Sequence, residues 1–178
     1  MTAIEGELTD MATDITDVMV PEWIKQIGKE NALEARDLED KARVASLREM
    51  IVRTDGPPLV RRILKELSVQ ALACKAIHVQ AVLNDVSREA DMQGHQHVFR
   101  LNVTASSPWS KTTYVDISYS EGERFMHFCP RDTDPFNIEV VPDEQGRLAM
   151  HSPLGPLPTV EDAAQFILQP VVKSVTGR

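Results

Sequence analysis

Three runs decide the fold: His97-Val98-Phe99-Arg100-Leu101-Asn102-Val103-Thr104, Tyr114-Val115-Asp116-Ile117-Ser118-Tyr119 and Phe125-Met126-His127-Phe128-Cys129. In each, apolar and polar side chains alternate with period two, the pattern of a half-buried strand. Phe99, Leu101 and Val103 fall on one side, and Arg100, Asn102 and Thr104 on the other. Turn-forming clusters punctuate the region at Ser106–Ser110, Glu121-Gly122, Pro130–Pro135 and Asp143-Glu144-Gln145-Gly146, the last suggesting a glycine bulge. Five strands follow, near 96–104, 111–119, 123–129, 136–141 and 147–151, and short turns between them predict an antiparallel meander.

The flanks read as helix. Pro21 suits the first turn of a helix and Glu22 suits its dipole. From Trp23 to about Arg53, Ala, Leu, Glu, Lys and Arg dominate, with a thin apolar stripe of Ile24, Ile27, Leu38, Ala42, Ala45 and Leu47. Asp55-Gly56-Pro57-Pro58 predicts a break. A second apolar face then runs from Leu59 through Ile63, Leu67, Ala71, Cys74 and His78 to about Asp85 or Ala90, and Gly94 ends the helical region. The expected fold is α+β: a long N-terminal helical hairpin over 21–92, then the five-stranded sheet with a C-terminal helix packed on it over 93–178, with 21–178 as one domain. Thr159 and Asp162 suggest a capping box, and Pro170 should kink or end the last helix.

The chain has 178 residues, 42% of them hydrophobic and 26% charged, ordinary values for a globular protein. Its net charge of −8 is segregated. Residues 1–40 carry 11 acids and 3 bases, and 41–65 carry 7 bases and 2 acids. Residues 1–20 suggest a flexible acidic arm. The basic run, with Arg43, Arg48, Arg53, Arg61 and Arg62, is a candidate binding patch for an acidic partner or for this chain's own acidic arm from a neighbour. A strongly acidic chain makes a poor general nucleic-acid binder. Two cysteines supply no disulfide framework, and no signal peptide or membrane-spanning run is evident, so a cytoplasmic protein that does not enter membranes is expected.

Pairing the strands through their turns places Arg100 opposite Asp116 and Asp116 opposite His127, with Asn102, Tyr114 and Cys129 as the adjacent row. Arg100, Asp116, His127 and Cys129 are therefore candidate site residues. Arg100 would hold Asp116 ionised, Asp116 would favour histidinium at position 127, and that charge would favour thiolate at Cys129. The simpler reading is a solvated sheet face with a cross-strand ion pair. His95-x-His97 and His127-x-Cys129 do not converge in this register, so no metal is expected. Cys129-Pro130 is explained by a strand ended at proline, and Cys74 with His78 by a buried thiol beside a core histidine. No nucleotide-binding loop, nucleophile elbow or other cofactor motif is present, so no cofactor is expected. Small acidic α+β dimers such as secretion chaperones are similar in size and charge only.

Three functional expectations follow. The first is a non-enzymatic interaction or adaptor module that self-associates through its N-terminal helices as a homo-oligomer. The second is a small-ligand binder or enzyme using Arg100, Asp116, His127 and Cys129. The third, disfavoured by charge, is a nucleic-acid accessory protein using residues 41–65.

Overall fold

A computed structural model describes residues 21–87, 97–106 and 111–177. The expected arm over 1–20 and most of His95-x-His97 lie outside the described residues. The fold is α+β, with helix α1 (Glu22–Ala73), strands β1 (Val79–Asp85), β2 (His97–Ala105), β3 (Thr112–Tyr119), β4 (Phe125–Pro130), β5 (Phe136–Pro142), β6 (Leu148–Ser152) and β7 (Gly155–Leu157), and helix α2 (Val160–Thr176). The strands form one antiparallel sheet in sequence order, β1 to β7. The chain divides into two compact units, Met1–Arg43 and Val44–Arg178, with the division inside α1.

Among the described residues, seven strands replace the expected five, and a single helix replaces the expected hairpin. α1 runs through Pro57 and Pro58 without a break. Its buried positions explain why. Val52, Gly56, Val60, Ile63, Leu64, Leu67 and Ala71 keep i, i+3, i+4 spacing across the prolines, so one stripe packs only if the helix continues. The two prolines leave the carbonyls of Arg53 and Thr54 without helical donors, but both residues are exposed and water can supply the bonds. Gly56 has no Cβ to meet the ring of Pro57, which eases the usual restriction on a residue before proline.

The second expected helix ends early. A 3₁₀ turn over Cys74–Ile77 leads to His78, which adopts the left-handed conformation at φ 58°. Its N–H donates to the carbonyls of Cys74 and Lys75. The chain then enters β1, where Val79 and Ala81 are buried, Gln80 is exposed, and Leu83 is partly buried. Val79, Ala81 and Leu83 fit period two, while Ile77, Ala81 and Val82 also fit the helical phase, and tertiary pairing with β2 decides between them.

One face of the sheet carries the core. Leu101, Val115, Ile117, Met126, Phe128 and Ile138 are almost wholly buried there with Ile63, Leu67, Ala163 and Ile167 from the helices. Phe128 stacks on Phe136 at 4.9 Å, and Phe166 of α2 meets Phe136 edge-on at 5.3 Å. The capping box is present: Asp162 N–H donates to Thr159 Oγ1 at 3.1 Å and Thr159 N–H to Asp162 Oδ2 at 3.1 Å. Pro170 does not end α2, which continues to Thr176. The 143–147 turn has Gly146 at φ 75° and Asp143 as its acceptor, receiving N–H bonds from Gln145 and Arg147 at 2.8 Å each.

Two predictions follow. Because Pro58 is an exposed interior helix residue, Pro58→Ala should raise stability by about 1–3 kcal/mol in denaturant unfolding; unchanged or reduced stability would fit a broken helix instead. The backbone N–H of Arg147, assisted by Gln145 N–H and the Arg147 guanidinium, holds the Asp143 carboxyl below its ordinary value of 3.8. A carboxyl lowered on folding stabilises the turn above its unfolded pKa, and that contribution is lost as pH falls through the folded value. Carbon-detected NMR titration should show the Asp143 carboxyl titrating below pH 3.8, and its stabilisation should vanish in Asp143→Asn.

Candidate functional site

The face of the sheet opposite the core carries the candidate residues. β2 and β3 pair in the expected register: Arg100 faces Asp116 and Asn102 faces Tyr114. β3 and β4 do not. Asp116 faces Cys129, and Ser118 faces His127, so the partner of each β3 residue lies two places further along β4 than expected. The reason lies in the connection. Ser120 C=O accepts from Glu123 N–H at 3.1 Å around Glu121-Gly122, with Gly122 at φ 85°. A two-residue hairpin would pair Ser120 with Glu123; instead β3 ends at Tyr119 and β4 begins at Phe125, so the connection holds five residues, 120–124.

A slip of two preserves the face but changes the rows. The observed rows are Asn84–Arg100–Asp116–Cys129 and Ser118–His127–Asn137. The expected Arg100–Asp116–His127 row is therefore replaced, and His127 sits about 6.8 Å further along the strand than the residue facing Asp116. Its Nδ1 lies 2.9 Å from Asn137 Oδ1, and its Nε2 lies 3.8 Å from Glu123 Oε2.

Arg100 and Asp116 form a two-pronged pair: Nε donates to Oδ1 at 2.7 Å and Nη2 to Oδ2 at 2.9 Å. The Asp116 side chain is only 11% exposed and Arg100 is 41% exposed, so the carboxylate is the buried partner. The Arg100 guanidinium also lies 4.6 Å over the Tyr114 ring, and that of Arg131 lies 5.9 Å from the same ring. Arg131 N–H donates to Tyr114 C=O at 3.0 Å, continuing the slipped register past Pro130. Sequence reasoning missed Arg131 for this reason: with the shorter turn, Cys129 takes its place beside Tyr114.

Chemically, both Asp116 oxygens serve Arg100, and the imidazole at 127 is turned toward Asn137 and Glu123. Cys129 is exposed and Cys74 is partly buried. Burial raises the Cys74 thiol, whose Sγ contacts Gln70 C=O at 3.4 Å. His78 lies at the turn out of α1 and is exposed, so it is not the core histidine expected beside Cys74. Among the described residues no group of three or more His, Cys, Asp or Glu is placed to hold a metal ion.

Beside His127 lies an open groove of about 830 Å³. Ser46, Glu49, Met50 and Arg53 of α1 form one wall, and Gly122, Glu123, Arg124 and Phe125 form the other. Arg124 is bound to Glu139, so its charge is already matched. The exposed arginines of the basic run all lie on α1, not across a turn. Arg43 pairs with Asp40 at 3.3 Å within the first unit. In the second unit, about 100° per residue sends Arg48 and Arg62 to one side of the helix and Arg53 and Arg61 to the other. Comparison of the chain with protein-family models, curated proteins and solved structures finds no match. Among the described residues no helix is long and apolar enough to cross a membrane.

Removing Arg100 leaves the Asp116 carboxylate without its guanidinium. Arg100→Ala should therefore cost about 2 kcal/mol in denaturant unfolding, a value reduced from that of a fully buried pair because Arg100 is partly solvated. Arg100→Ala/Asp116→Ala should cost less than the sum of the single changes, and additive costs would show that the pair is not coupled.

Proposed function

We propose that this chain is a non-enzymatic interaction module that binds another protein, in the first instance a second copy of itself, through the helical segment Glu22–Arg43. One observation carries the reading. Trp23, Ile24, Ile27 and Leu38 are 65%, 42%, 46% and 67% exposed. At about 100° per residue these four fall within an arc of about 100°, the width of a helical packing face, while Leu33, 61% exposed, lies outside it. Exposed apolar surface of this kind marks interaction sites. The segment 22–43 carries six acids and five bases, so charge does not oppose pairing with a copy.

A small-ligand or enzymatic use of Arg100, Asp116, His127 and Cys129 is the second reading, favoured only by the groove beside His127. A nucleic-acid role for 41–65 has less support, because the arginines diverge around α1 and the chain's net charge is −8.

Trp23→Asp/Leu38→Asp should weaken helix-mediated association at least ~100-fold, about 2.7 kcal/mol, in sedimentation equilibrium across a concentration series. Equal masses for the variant and the wild type would overturn the reading, as would a wild-type chain that stays monomeric at high concentration.

A further inference from the structure

The two edges of the sheet differ. β7 is three residues long and includes Pro156, which has no N–H to offer a neighbour. Short, proline-bearing edges resist further pairing. β1 has seven residues and no proline, its only charge is Asp85 at its end, and no strand lies beyond it among the described residues. Its hydrogen-bond phase is known from both ends. Val86 N–H donates to Val98 C=O at 2.9 Å, and Ser106 N–H donates to His78 C=O at 3.0 Å. Even-numbered residues therefore bond toward β2. In an antiparallel ladder the alternate residues aim their N–H and C=O the other way, so Val79, Ala81 and Leu83 point theirs out of the sheet.

We propose that β1 pairs with β1 of a second copy, antiparallel about a two-fold axis at Val82, joining the two sheets into one. This axis uses all seven residues. Ala81 then exchanges both backbone bonds with Leu83 of the second copy, and Val79 faces its Asp85. The side chains on the open face match as well. Val82, 42% exposed, meets its own copy, and the exposed amides of Gln80 and Asn84 face one another across the join. The strand is complementary to itself, which an isologous interface requires. This pairing uses residues other than those of the helical segment proposed above.

Disulfide trapping tests the register in the full chain with Cys74→Ser and Cys129→Ser. Residues at a non-hydrogen-bonded antiparallel pair have Cα atoms about 4.5 Å apart, within disulfide range. Val82→Cys should give a covalent dimer under mild oxidation. Gln80→Cys and Asn84→Cys should not, because each lies about 13 Å from its own copy. No dimer at position 82, or equal yields at all three, would overturn the proposal, with circular dichroism used to confirm that each variant is folded. In the native-cysteine chain, Val82→Lys should halve the mass contributed by this interface, since like charges would meet at the axis; an unchanged mass would also overturn it. Combining Val82→Cys with Trp23→Asp/Leu38→Asp separates the two surfaces. Cross-linking that survives those helix changes supports the strand pairing whatever becomes of the helical reading, and cross-linking lost with them overturns it as an independent interface.

Discussion

Burial of one sheet face beneath Val60–Ala71 and Val160–Val175 is the constraint on which the second unit depends. Side chains alternate along a strand, so once Leu101, Ile117 and Phe128 point at the helices, Arg100, Asp116 and Cys129 point away. The same burial is shared by positions on both sides of the two prolines inside α1. A break over Asp55–Pro58 would separate Val52 from Val60 and Ile63 and so end the stripe they share.

Fold class, the antiparallel meander and the C-terminal helix with its capping box were legible in the sequence because each rests on local chemistry: alternation over 97–129, turn residues between strands, and Thr159 with Asp162. The helical break and the missed β1 were not. Gly56-Pro57-Pro58 is a strong local stop signal, and only the apolar phase carried across it shows that the helix continues. At 77–83 both periods fit, and the winner is chosen by β2, far away in sequence. β7 is too short for periodicity to reveal. The candidate site shows the same division. Arg100 opposite Asp116 agrees with the register expected for β2 and β3, whereas His127 was misplaced and Arg131 missed because residues 120–124 separate β3 from β4 where a two-residue turn was expected.

The two units of α1 differ in what keeps them helical. From Val52 onward, tertiary burial does the work. Over Glu22–Arg43 every residue is exposed, so among the described residues only helix propensity and short-range pairs such as Lys25–Glu22 and Arg43–Asp40 are on hand, each pair worth a few tenths of a kcal/mol. Helices sustained by such terms alone are marginal in water. A partner covering Trp23, Ile24, Ile27 and Leu38 would add the apolar burial that this segment otherwise lacks, which connects its folding to its proposed function.

Alternation alone does not fix the register. A slip of one residue turns the apolar row outward and is excluded by the core, but a slip of two returns every side chain to the same face. Something besides hydrophobicity must choose among registers two apart. Between β3 and β4 the loop over 120–124, with Gly122 in the left-handed region, makes that choice. Between β2 and β3 the Arg100–Asp116 pair can make it. Moved two places, a buried carboxylate would lose both donors, a penalty that an apolar pair would not impose. The value of the ion pair then lies less in the stability it adds to the native register than in what its absence would cost the alternatives. On this argument, the Arg100–Asp116 pair helps to keep β2 and β3 in step, whatever else the polar row does.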